Sequence, residues 1–196
     1  MGNSKANSMY FDDAFGAHEQ LPRNFSVSFQ EVADAATPHV RVVFNDNQLG
    51  DVINDNSMAN DFYRYHDIFH YSFATLLGWS PCARSMMKRK RKSNFVIDQV
   101  QDGARATITE EAISLIVFNE AKRKDFFRRV KTVSKTTLRI IKEMTEDFEV
   151  RVRSDKEWEE AILESYKIFR QLISNNGGRV LFDMTNRKIQ YISPAN

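Results

Sequence analysis

The segment Asp61-Phe62-Tyr63-Arg64-Tyr65-His66-Asp67-Ile68-Phe69-His70, inside the stretch Asn60–Glu120, decides how the rest of the chain is read. At about 100° per residue, Phe62, His66, Phe69, Phe73 and Leu76 share one stripe, and the spacing predicts an amphipathic helix over roughly residues 57–77. His66 lies within the stripe, His70 one turn on at its edge, and Asp67 further round. Imidazoles at i and i+4 can share a metal or a phosphate, or stand as a buried hydrogen-bonded pair. Gly78 suits the left-handed residue that ends a helix, and Ser80-Pro81 supplies an N-cap and a first-turn proline. A short second helix is therefore expected to carry Lys88-Arg89-Lys90-Arg91-Lys92. Five consecutive cations cover every direction around a helix, so some must meet an anion unless the segment unwinds. The run reads as a phosphate clamp, a nucleic-acid patch or a solvated helix end.

Working outward, Asp98, Asp102 and Arg105 fall in a polar connector. Thr107-x-x-Glu110 has the form of a capping box, which gives Glu110 a structural task and leaves Glu111 free. Glu111 projects with Ile108, Leu115 and Phe118, where a carboxylate needs an arginine, a histidine or a metal. The expected site joins His66, Asp67, His70 and Glu111 as metal ligands, with Asp67 and Glu111 as its catalytic carboxylates. Lys88, Arg89, Lys90, Arg91, Lys92 and Arg105 are the expected phosphate-binding cations.

On the near side, residues 50–61 are dense in side-chain oxygens: Asp51, Asn54, Asp55, Asn56, Ser57, Asn60 and Asp61. They read as Asx turns with a helix cap, or as a loop facing a cation. Phe25–Phe29 alternates apolar and polar residues, and Val40–Phe44 is β-rich. Asn45-Asp46-Asn47 then turns the chain into a hairpin. Leu138, Ile141, Met144 and Phe148 form one helical stripe. Ser154-x-x-Glu157 caps a last helix with the stripe Trp158, Ile162, Tyr166, Phe169 and Ile173. Asn176-Gly177-Gly178 stops that helix, and Arg179–Asp183 with Lys188–Ile192 forms a terminal hairpin. The fold class is α+β, mainly α: four to five helices with antiparallel hairpins from the two chain ends. Residues 1–22 are expected as a flexible or loosely docked lead-in and 23–196 as a single domain.

Bulk properties narrow the function. The 196 residues carry a net charge of only +2, so attraction to nucleic acid must come from a local patch. Cys82 is the sole cysteine, which excludes an intramolecular disulfide and a cysteine-rich zinc site. It reads as a small buried thiol, or as one activated at a helix start. No apolar run approaches the roughly twenty residues of a membrane span, and the N-terminus lacks a secretory apolar region. A cytoplasmic protein without membrane contact is expected.

In order, Tyr63–His70, Leu77-Gly78-Trp79-Ser80-Pro81, Lys88–Ser93, Asp102-Gly103-Ala104-Arg105-Ala106 and Glu110-Glu111 make a specific set. From about Phe25 to Tyr191 the chain resembles the C-terminal domain attached to some MazG-type nucleoside triphosphate pyrophosphohydrolases of bacteria and phages. The resemblance implies a nucleotide or another phosphate-bearing ligand and Mg²⁺-dependent cleavage of triphosphates to monophosphate and pyrophosphate. The metal of those enzymes is held by an ExxE and an ExxD pair. This chain has Glu143-x-x-Glu146 and Glu157-x-x-Glu160 but no following ExxD. Two functions follow: a metal-dependent nucleotide pyrophosphohydrolase, with Mg²⁺, Mn²⁺ or Zn²⁺ as its ion, or a non-catalytic accessory domain sensing a nucleotide or a protein partner. Self-association is compatible with either, and nucleic-acid binding through the basic run is a third reading. Mixed His and carboxylate ligands suit Mn²⁺, Fe or Zn²⁺ better than Mg²⁺.

Overall fold

Alternating residues build the sheet. The computed structural model describes residues 10–32 and 37–193, with strands β1 (Asn24–Val32), β2 (His39–Phe44), β3 (Asn47–Ile53), β4 (Gly177–Asp183) and β5 (Lys188–Ile192). They form one antiparallel sheet in the order β3-β2-β1-β4-β5. The expected hairpins are thus joined where β1 pairs with β4, with Phe25 opposite Phe182 and Val27 opposite Val180. Asn45 and Asp46 take φ of 48° and 60°, the pair of left-handed residues that a tight hairpin turn demands. Every second residue points inward, and Val27, Phe29, Val40, Val42, Val180 and Phe182 are sealed.

Helices cover that face: α1 (Asp67–Leu77), α2 (Pro81–Met86), α3 (Phe95–Val100), α4 (Ala104–Lys122), α5 (Lys135–Met144) and α6 (Asp155–Ser174). Four of them have ten residues or more, and α1 is buried at every position except Leu76. A helix apolar nearly all round belongs in the middle of a core. Tyr71 ties α1 edge-on to Phe29 and Phe182 of the sheet, and Phe69 packs on Tyr166 and Phe169 of α6. Ser154 and Glu157 form the expected capping box of α6, and Trp158, Ile162, Tyr166 and Phe169 are buried along it. Gly78 ends α1 with φ 74°, and Ser80 caps α2 by accepting from the Ala83 N–H.

Three expectations need correction, and the lead-in takes its docked form. The helix foreseen over residues 57–77 starts only at Asp67, because Phe62 takes φ 67° and the preceding loop has another task. Asp55 and Asn60 hold the Arg64 guanidinium at 3.0 and 2.8 Å, opposite Glu31 at 3.1 Å. The basic run lies in a loop after α2, which ends at Met86. Residues 10–22 of the expected lead-in are docked, since the buried Asp12 carboxylate accepts from Arg23, Arg84 and the Leu21 N–H; residues 1–9 lie outside the described residues. The connector contains α3, and α4 begins directly after Gly103, where a Cβ would sit 2.1 Å from the Gln99 carbonyl oxygen.

Candidate metal centre

Two consecutive residues at the start of the most buried helix, His66 as N-cap and Asp67 as first residue of α1, face His70 one turn later. The ring of Tyr63 stacks on His66 at 4.3 Å with 4° between the planes, and His66 meets His70 edge-on at 5.8 Å. Donor atoms of His66, Asp67 and His70 lie within 4.8 Å of one another, all on buried residues. Glu111 arrives from α4, its Oε1 3.3 Å from His70 Nε2, with its side chain 44% exposed. The four expected ligands therefore converge. His66, Asp67 and Glu111, but not the buried His70, line a cleft of about 570 Å³ together with Gly50–Asn54 and Asn56.

Hydrogen bonding fixes which nitrogen of each ring faces this cluster. The Tyr63 carbonyl can only accept, so His66 Nδ1 donates to it at 3.0 Å. Burial disfavours a charged His66 more than Asp67 and Glu111 favour one, so its pKa is lowered. In the neutral ring Nε2 is a bare lone pair, 3.3 Å from the Asp67 carboxylate. Two electron-pair donors at that separation repel unless a proton or a cation stands with them. His70 Nδ1 donates to Glu110 Oε1 at 2.8 Å, which turns Nε2 toward Asp67 and Glu111. Asp67 Oδ2 is buried without a hydrogen-bond partner, whereas His70 Nε2 faces Glu111 Oε1.

Glu110 is the residue the sequence reading misplaced. With α4 starting at Ala104, Glu110 is no cap: it is fully buried, accepting from Ser80 Oγ at 2.7 Å and the Cys82 N–H at 2.9 Å besides His70. A signal was available, because Ala106, Glu110, Ile113 and Val117 fall on one stripe once the helix is counted from Gly103. Ile108 and Leu115, the neighbours assumed for Glu111, are exposed instead.

Charge is unevenly held. Burial works against an imidazolium at His70, but Cys82 and Glu110 outweigh it and raise the ring well above the ordinary histidine range. Burial and the Glu110 charge push the Cys82 thiol upward, so it is neutral at pH 7 and Glu110 is the partner that acts there. Cys82 is thus a buried thiol, not one activated by its helix. Burial opposes ionisation of Glu111, yet the His70 hydrogen bond and charge bring it down to about 2.

The expected phosphate-binding residues stand elsewhere. None of Lys88, Arg89, Lys90, Arg91, Lys92 or Arg105 lines the cleft. Arg91 is buried and fully engaged by Asp102 and Glu149 at 2.7 Å each, and Arg89 donates to the Ala17 carbonyl. Lys88, Lys92 and Arg105 are exposed.

The family model of the MazG C-terminal domain matches residues 6–195, nearly the whole chain. The chain belongs to the MazG C-terminal domain family. No curated protein and no solved structure matches it. In this MazG C-terminal domain the two ExxE sequences are surface features. Glu143 and Glu160 are exposed beside Arg139 and Lys156, Glu146 is exposed, and Glu157 caps α6. Among the described residues no helix is long and apolar enough to cross a membrane.

Proposed function

We propose that this MazG C-terminal domain binds nucleotide phosphates through a divalent metal held by His66, Asp67, His70 and Glu111, and hydrolyses them there. The observation that carries the reading is the buried, unpartnered Asp67 Oδ2, beside the nitrogens of His66 and His70 in a cluster open to the cleft. A buried carboxylate oxygen without a donor is costly, and a cation removes that cost. Two imidazole nitrogens with two carboxylates form a donor set suited to Mn²⁺, Fe or Zn²⁺. Such an ion, when bound, polarises phosphoryl oxygens and acidifies an attacking water.

The chain's own residues would do the rest. Glu110, anchored by Ser80 and the Cys82 N–H, fixes the orientation of His70, as carboxylates behind metal-binding histidines commonly do. Tyr63 holds His66 in register by stacking and by its carbonyl. Glu111, ionised and half exposed, accepts a hydrogen bond from the attacking water. Water oxygen joins phosphorus, the bond to the leaving phosphate breaks, and the water proton departs to solvent past the carboxylate.

A second reading is favoured by one observation: both ExxE sequences are surface or capping features, so the same centre could sense a nucleotide without turning it over. Incubating the chain with a nucleotide panel and Mg²⁺, Mn²⁺ or Zn²⁺ separates the two. Hydrolysis lost in Glu111→Gln supports catalysis; thermal stabilisation by metal and nucleotide without product supports sensing. Neither turnover nor stabilisation with any metal rejects both.

A further inference from the structure

A second basic segment, Lys122–Lys131, holds Lys122, Arg123, Lys124, Arg128, Arg129 and Lys131 against a single carboxylate, Asp125. Lys122 is committed to Asp61 and Lys124 to Glu120. Arg123, Arg129 and Lys131 form no ion pair among the described residues, and Arg128 pairs only with the exposed Asp125. Across from them, α6 contributes Arg170 and Lys167, the latter paired with the half-buried Glu164 at 3.2 Å, and the two sides enclose a groove of about 510 Å³. Its floor is the buried Phe127 with the half-buried Val130 and Leu163. The groove shares no lining residue with the metal-centre cleft.

The backbone beneath these cations is strained. Asp125, Phe126 and Phe127 take φ of 49°, 49° and 56°, three successive left-handed residues without a glycine. Single residues of that kind are uncommon and consecutive ones more so, and such conformations persist where the surroundings enforce them. Here Arg170 donates to the Phe126 carbonyl while the Phe126 ring packs on Phe118 and Phe169. The clamp sets Arg128 close to Arg170, where burial and the charge of Arg128 both make the Arg170 cation harder to hold. Like charges crowded over an apolar floor call for an anionic ligand with apolar parts.

We propose that this groove is a docking surface for single-stranded nucleic acid, with backbone phosphates meeting Arg128, Lys131, Lys167 and Arg170. Glu160 and Glu164 on the same wall disfavour the dense charge of a free triphosphate. A strand spaces its charges one per nucleotide and can set the apolar faces of its bases against Val130 and Leu163. Arg123 and Arg129, outside the groove, extend the positive surface beyond the reach of a small ligand.

Fluorescence anisotropy with a labelled oligothymidylate, titrated over a range of salt concentrations, tests this on the full chain. Affinity should fall as salt rises. In the exposed double variant R128E/K131E it should drop at least about tenfold, and the log–log salt slope should flatten by about 1.4, from two phosphate contacts at about 0.7 each. K88E/K92E, with the same change in net charge, should bind as the unaltered chain does. If R128E/K131E melts early, K131A/K167A replaces it with the same expected direction. The inference is overturned by no binding at low salt, by equal weakening in K88E/K92E, or by polyglutamate competing as well as the oligonucleotide. None of these outcomes bears on the metal centre.

Discussion

Two of the buried polar clusters among the described residues, one around Arg91 and one around Asp67, are finished to different degrees. Around Arg91, every guanidinium nitrogen has a carboxylate or carbonyl within reach: Asp102, Glu149 and Phe11. Arg84 is met by Asp12 and the carbonyls of Glu19 and Arg89. That network joins the segment before β1, the loop after α2, the start of α4 and the turn after α5, and it leaves no donor over. Around Asp67 the same chain leaves a buried carboxylate oxygen bare beside a cleft. A satisfied buried network acts as scaffold, whereas an unsatisfied one beside an opening is where a ligand is expected.

The largest test strikes the satisfied cluster. Asp102→Ala would strand Arg91 and part of Arg84 in the interior, and unfolding in urea should show a loss of about 3–5 kcal/mol. A loss under about 1 kcal/mol would mean the network is not the structural member described. Glu110→Gln tests the link between the clusters' logic and the centre. Metal affinity, read by calorimetry, should fall about 10–100-fold, or about 1.4–2.7 kcal/mol. Unchanged affinity would remove Glu110 from its positioning role.

Asp67→Asn should behave in the opposite way to Asp102→Ala. Removing an unpartnered buried charge should leave the metal-free chain as stable as before or stabilise it by up to about 1 kcal/mol. A loss of several kcal/mol would place Asp67 with the scaffold instead.

The smallest effects are in pH. His70 has a raised pKa in the fold, so its contribution is complete below the ordinary histidine value of about 6.5 and fades as pH rises toward its folded value. His66 has a lowered pKa, so its neutral ring is favourable above about 6.5 and costs stability as pH falls below it. Melting curves of the metal-free chain should lose the alkaline slope in His70→Gln and the acid slope in His66→Gln. Identical profiles for both variants would contradict the opposite environments assigned to the two rings.

What could be read from the sequence was what local chemistry decides. The hairpins follow from alternation and from Asn45-Asp46, and the ends of α1, α2 and α6 follow from Gly78, Ser80-Pro81 and Ser154-x-x-Glu157. His66, Asp67, His70 and Glu111 were legible as a group because charged and titratable side chains on apolar helices need partners. The errors arose where distant residues decide. Thr107-x-x-Glu110 has the form of a cap, but Gly103 starts the helix earlier and turns Glu110 onto His70. The Lys88–Lys92 run calls for anions, but which ones is decided by tertiary packing, which brings Asp102 and Glu149 to Arg91. In the Lys122–Lys131 segment the six cations are interrupted by Asp125 and apolar residues, so no continuous basic run marks it.

The most direct test of the centre is calorimetric titration of Mn²⁺ and Zn²⁺ into the metal-free chain, alongside Asp67→Asn and His70→Gln. A single ion per chain, bound at least about 100-fold more weakly in both folded variants, is the expected result. Absence of binding, or equal binding by the variants, would contradict it.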